Sequence, residues 1–106
     1  MNCGVLCISE LLHDERLNDE LMKKSVNGLS FQQIIEAGSK HGYVFLGCKS
    51  DKIPETPFLM LRKRHYYLIK ERMNNCYLLY DPNLGYLKIP AWIFKRFYSG
   101  CYLVVL

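Results

Sequence analysis

A chain of 106 residues fits one domain around a single core, and half of its residues are hydrophobic with polar ones interspersed, which excludes a disordered segment. The formal charge of +4 is mild, and its one dense run, Leu61-Arg62-Lys63-Arg64-His65, with a smaller pair at Lys95-Arg96, reads as solvated loop and not as the stripe of a nucleic-acid binder. No apolar run approaches the roughly 20 residues of a spanning helix, so no direct membrane insertion is expected, and five cysteines (Cys3, Cys7, Cys48, Cys76, Cys101) without a secretory signal point to free thiols in a reducing, cytoplasmic compartment.

From the start of the chain, Val5, Ile8, Leu11 and Leu12 recur at helical spacing and predict a first helix from about Gly4 to Leu12, ending in the charged stretch His13-Asp14-Glu15-Arg16. Asn18 as cap, Asp19 and Glu20 in the first turn, and Lys23 and Lys24 in the last predict a short second helix, with Gly28 stopping it or shaping the loop. The third helix carries the clearest signals. Ser30 caps it, Gln33 completes a capping box, Gly42 supplies a left-handed stop, and Phe31, Ile34, Ile35 and Ala37, with Gly38 beside them, mark the inward face.

The period changes at Tyr43. Tyr43 to Cys48 reads as a strand and Ile53-Pro54-Glu55-Thr56-Pro57 as an extended connector. Phe58 to Leu61, His65 to Lys70 and Cys76 to Tyr80 then read as strands of an antiparallel sheet, with Arg72-Met73-Asn74-Asn75 as a polar break. Asp81-Pro82-Asn83-Leu84-Gly85 is a turn, and Tyr86 to Ile89 the next strand. Pro90 opens a short helix through Phe97, which Gly100 closes, and Cys101 to Leu106 is an apolar strand expected at the centre of the sheet. Helices first and strands after them make the α+β class. Tyr77, Tyr80, Tyr86, Trp92, Phe94 and Phe97 are expected mainly in the core, and Tyr66, Tyr86 and Tyr98 look exposed.

Three residues carry candidate chemistry. Cys3 stands at the mouth of the first helix, where unpaired N–H groups and the peptide dipoles favour a thiolate. His65 opens one strand and Asp81 closes the following one, and in a hairpin those two ends lie side by side. That arrangement would let Asp81 fix one imidazole nitrogen while the other faces Cys3, the logic of a nucleophile, a base and an orienting carboxylate. His13 and His41 are rivals, but both sit at helix ends, where a capping or surface role suffices. A metal reads poorly, since Cys3, Cys7 and His13 lack the paired spacing of structural zinc sites; no metal or cofactor is expected.

Several strings occur in one order: Asn2-Cys3-Gly4-Val5; Gly28-Leu29-Ser30-Phe31 before a helix ending Lys40-His41-Gly42-Tyr43; Pro57-Phe58-Leu59-Met60; His65-Tyr66-Tyr67-Leu68; Tyr80-Asp81-Pro82 with Gly85; and Phe94-Lys95-Arg96-Phe97-Tyr98-Ser99-Gly100. Together they resemble the C39 family of papain-like, bacteriocin-processing cysteine peptidases across nearly the whole chain, residues 1–106. The resemblance implies a papain-like fold and a peptidase that trims leader peptides, typically after a double-glycine motif and often as the N-terminal domain of an ABC exporter. It implies Cys3 as nucleophile, His65 as general base and Asp81 as its orienting partner.

The family also places a glutamine several positions before the cysteine, where its amide shares the oxyanion hole with a backbone N–H. Here Met1 and Asn2 alone precede Cys3, and Asn2 stands where the family more often has aspartate. Losing such a donor costs on the order of a hundredfold to a thousandfold in turnover. Three readings stay open: residues upstream in a longer protein, a substitute donor such as the Asn2 amide or the terminal amine, or an inactive domain that binds a peptide or a partner protein. With no G-x-x-x-x-G-K motif, the chain reads as a standalone peptidase-like protein or a domain cut from an exporter, associated with the membrane through that exporter.

Overall fold

The computed structural model describes residues 2–25 and 28–106. In chain order its elements are α1 (Cys3–Leu12), α2 (Glu15–Lys24), α3 (Phe31–Lys40), β1 (Phe45–Lys49), β2 (Phe58–Arg62), β3 (His65–Met73), β4 (Cys76–Asp81), β5 (Gly85–Pro90), α4 (Ala91–Phe97) and β6 (Cys101–Val105). The class is α+β, as the order of patterns in the sequence predicts.

The strands form one antiparallel sheet in the order β1-β6-β2-β3-β4-β5. β6 lies in its interior, between β1 and β2, one strand from the edge, and only Leu103 of it is fully covered. Alternation along the strands gives the sheet two apolar faces. One, with Leu59, Tyr66, Leu68 and Leu103, packs against Val5, Cys7 and Ile8 of α1, Leu17 and Leu21 of α2, and Ile34 and Ala37 of α3. The other, with Phe58, Met60, Ile69, Tyr77 and Leu79, packs against Phe94 of α4.

The helix boundaries follow from their caps. Ser30 Oγ accepts the Gln33 N–H and Gln33 Oε1 accepts the Ser30 N–H, so the capping box predicted for α3 is complete. At its other end the Tyr43 N–H bonds to Gly38 O and the Gly42 N–H to Ser39 O, with Gly42 at φ +86°, a left-handed close that favours glycine. α2 differs from the sequence reading. Its cap is Asp14, not Asn18: Asp14 Oδ1 accepts the Leu17 N–H, so Glu15 and Arg16, read as the charged end of the first helix, begin the first turn of the second. Asp14 also accepts a hydrogen bond from Tyr43 Oη at 2.8 Å, which ties that turn to the end of α3.

Two details of the sheet bear on the site. Lys63 and Arg64, both at positive φ, form the two-residue turn joining β2 to β3, with Arg62 paired to His65. The turn sets the register in which Tyr66 faces Leu61. Secondly, β3 carries a bulge: Leu68 pairs with Tyr80 and Ile69 with Leu79, but Glu71, not Lys70, pairs with Leu78. Met73 is still strand, so the polar break predicted from Arg72 shrinks to Asn74-Asn75.

The aromatic assignments divide. Tyr77 and Phe94 are buried, but Trp92 at 66% and Tyr86 at 43% are exposed; Tyr66, expected at the surface, is 2% exposed. Sequence position could not separate Tyr66 from Tyr67, since one residue of register decides which of two neighbours faces the helices.

Candidate active site

Cys3 is the first residue of α1. The Leu6 N–H makes the first helical bond, to Asn2 O, so the N–H groups of Cys3, Gly4 and Val5 open the helix without an intrahelical partner. The sulfur rests on β3: Cys3 Sγ accepts the Tyr66 backbone N–H at 3.4 Å. The helix approaches this closely because Gly4 has no side chain; a Cβ there would stand 3.1 Å from the Tyr66 ring. The Tyr66 hydroxyl donates to Leu29 O at 2.8 Å and so fastens the loop ahead of α3 to the same strand. Burial, then the Cys3 and Cys7 sulfurs, push the Tyr66 phenol well above its ordinary range, so it remains a donor.

His65 and Asp81 meet. Asp81 Oδ1 lies 3.1 Å from His65 Nε2, with the histidine side chain about a quarter exposed and the aspartate nearly covered. The bulge in β3 makes this contact geometrically available. Continuing the Leu68–Tyr80 register sets Asp81 opposite Tyr67, on the face that His65 shares; the register beyond the bulge would set it opposite Leu68, on the other face. A turn then holds the carboxylate in place. Asp81 Oδ1 accepts the Asn83 N–H at 2.9 Å, Asp81 O accepts the Leu84 N–H, and Gly85 at φ +82° returns the chain to β5. Since a carboxylate only accepts, Nε2 is the nitrogen that donates in the shared bond, and in the neutral ring the lone pair falls to Nδ1. The imidazole also stands edge-on to Tyr67, centroids 4.4 Å apart, and Tyr67 in turn stands edge-on to Phe97 of α4.

The three residues singled out in the sequence therefore converge on the start of β3: His65 opens it, Asp81 bonds to His65, and the sulfur of Cys3 sits on the N–H of the next residue. The rivals are occupied otherwise. His13 is the left-handed cap of α1, and His41 Nε2 lies 3.1 Å from Glu20 Oε1. Sequence reasoning missed Tyr66, Tyr67 and Cys7. The helical spacing of Cys3 and Cys7 was a signal for the last of these.

A cleft of about 640 Å³ opens beside the sulfur, lined by Cys3, Gly4, Leu29, Leu61, Arg64 and Tyr66 among others. His65 of β3 and Asp81 of β4 do not line it; their side chains share the other face of the sheet. Three side-chain amides border the cleft, and each donates elsewhere: Asn2 Nδ2 to Met22 Sδ, Gln32 Nε2 to Glu36 Oε1 and Gln33 Nε2 to Lys24 O. The Asn2 amide, a candidate oxyanion donor, is thus engaged with α2, and the terminal amine of Met1 lies outside the described residues. Among the described residues no group of three His, Cys, Asp or Glu side chains could hold a metal ion, and no helix is long and apolar enough to cross a membrane.

A comparison with curated proteins finds no match. Solved structures do match. A double glycine motif protease from an AMS/PCAT transporter, in complex with the leader peptide, superimposes with a TM-score of 0.82 at 19% identity, covering 98% of this chain and 83% of that one. The N-terminal peptidase C39 like domain of the toxin secretion ATP-binding protein from Vibrio parahaemolyticus gives 0.72 at 17% identity, covering 95% and 90%. The peptidase domain of Streptococcus ComA, a bi-functional ABC transporter involved in a quorum sensing pathway, gives 0.70 at 18%, covering 98% and 90%. At these identities the likeness establishes the fold. The family model that matches is that of the peptidase C39 family and it spans residues 1–106, so this chain, with its cysteine at a helix start and its sheet-borne histidine and aspartate, belongs to the peptidase C39 family.

Proposed function

We propose that this chain is a cysteine endopeptidase that cuts leader peptides after small residues of the double-glycine type, using Cys3, His65 and Asp81. The observation that carries the reading is the His65–Asp81 hydrogen bond at the start of the strand whose next N–H is donated to the Cys3 sulfur. In the mechanism, Asp81 holds the proton on Nε2, and Nδ1 accepts the thiol proton as sulfur attacks the scissile carbonyl. The tetrahedral oxyanion draws on the unpaired N–H groups at the start of α1. His65 then protonates the leaving amine, and water attacks the thioester with Nδ1 as base, returning the thiol. The solved relatives belong to transporters, one of them bound to a leader peptide, which supports a leader peptide as substrate and an ABC exporter as partner.

The test is cleavage of a synthetic leader peptide ending in Gly-Gly, followed by mass spectrometry. The wild-type chain is expected to cut after the second glycine and Cys3→Ala to leave the peptide whole. A Cys3→Ala variant that cuts as fast as wild type, or a wild type that binds the peptide and never cuts it, overturns the proposal; the second result leaves an inactive peptide-binding domain.

A further inference from the structure

α1 sets two thiols, one turn apart, against a single residue of β3. Cys3 Sγ accepts the Tyr66 N–H at 3.4 Å, and the Cys7 thiol donates to the Tyr66 carbonyl, also at 3.4 Å. The N–H and C=O of one strand residue point to the same side. On this side Tyr66 has no partner in β4, whose pairing with β3 begins at Leu68 and Tyr80 and whose chain turns away at Asp81-Pro82. Helix α1 stands where the neighbouring strand would continue, and its thiols complete the backbone of Tyr66.

Cys7 is fully buried. Burial above all, then the Cys3 sulfur and Asp81, push its thiol far above the ordinary range, so it remains S–H and keeps its role as donor. The groups facing it are Cys3 and Glu10 on its own helix, Tyr66, Tyr67 and the Leu68 N–H on β3, and Tyr80 and Asp81 on β4; the Leu68 N–H favours the thiolate, but burial outweighs it, and none of the others is a cation that would draw the proton off.

We propose that Cys7 is a positioning residue for Cys3: its S–H holds the Tyr66 backbone so that the Tyr66 N–H stays aimed at the Cys3 sulfur and stabilises the thiolate there. That N–H lies in the peptide unit that begins at the His65 carbonyl, so one clamp orients the strand on which both sulfur and imidazole depend. The inference rests on the peptidase reading for its purpose, though not for its test.

The test is alkylation of Cys3 in the full chain by iodoacetamide at neutral pH, with the adduct located by peptide mapping. Cys7→Ala is expected to slow modification of Cys3 about threefold to tenfold, the size of one ordinary neutral hydrogen bond, that from the Cys7 thiol to the Tyr66 carbonyl. Cys7→Ser, which keeps a donor, is expected to restore the rate. Cys7→Val fills the volume without a donor and is expected to be slow as well; it serves where the alanine variant does not fold. Unchanged or faster modification in the donorless variants overturns the proposal, as does a serine variant as slow as the alanine one. Alkylation needs no peptide substrate, so slow donorless variants of a chain that cuts nothing uphold the clamp and remove the peptidase. Cleavage that requires Cys3 and ignores every change at Cys7 does the reverse.

Discussion

Asp81 gathers two hydrogen bonds on one oxygen, from His65 Nε2 at 3.1 Å and from the Asn83 N–H at 2.9 Å. Its task on the proposed mechanism is to fix a tautomer, and an amide oxygen can accept the same two bonds. Asp81→Ala is therefore expected to lower kcat for leader cleavage by roughly a hundredfold, with KM little changed, and Asp81→Asn to keep much more of it. Steady-state kinetics on the two variants decide the matter: equal losses would mean that the charge, and not the bond, is what counts. The pair was legible in the sequence because a strand start and the following strand's end meet in any hairpin. Tyr66 was not legible, because its burial depends on which side of the sheet the helices cover, and adjacent aromatic residues at 66 and 67 fit either choice.

Among the elements, α2 shows how a cap is misread and what the true cap does. Asn18 followed by two acids looked like a helix start, but Asp14 takes the Leu17 N–H and gains the Tyr43 hydroxyl as a second, distant partner. Those bonds, the backbone one first, hold the Asp14 carboxyl below its ordinary value of 3.8. A lowered carboxyl contributes stability that is fully present above the ordinary value and is lost as pH falls through the folded one. Asp14→Ala is expected to lower Tm by a few degrees at neutral pH, and the gap from wild type to close as the pH drops below 3.8. Thermal melts across that range check it; a gap that stays constant with pH would mean that the carboxylate is not the stabilising form. The bulge at Lys70 was equally hidden. Nothing in His65-Tyr66-Tyr67-Leu68-Ile69-Lys70 marks the extra residue, although the contact between His65 and Asp81 depends on it.

Across the molecule, the helical layer and the sheet approach closely at Gly38, where a Cβ would fall 2.5 and 2.6 Å from Cδ2 and Cε2 of Phe45, a buried ring of β1. Gly38→Ala gains about 1 kcal/mol of helix propensity and loses about 1–3 kcal/mol to overpacking. The net expectation is destabilisation in chemical denaturation, and a stabilised variant would contradict so close an approach. The sequence flagged this glycine only as a neighbour of the inward face, because a close approach between layers leaves no local pattern. The α+β class and the order of elements were readable from periodicity alone, whereas the order of strands in the sheet was not. Its least expected feature is that β6, from the end of the chain, slots between β1 and β2. On a ribosome, β1 emerges before β6, its neighbour in the sheet, exists, and it waits for some fifty residues of further synthesis before Cys101–Val105 can bridge it to β2. A nascent polypeptide stalled just short of those five residues would display an open seam with unsatisfied hydrogen-bonding edges on both sides, a target for chaperones or proteases that the finished protein does not offer.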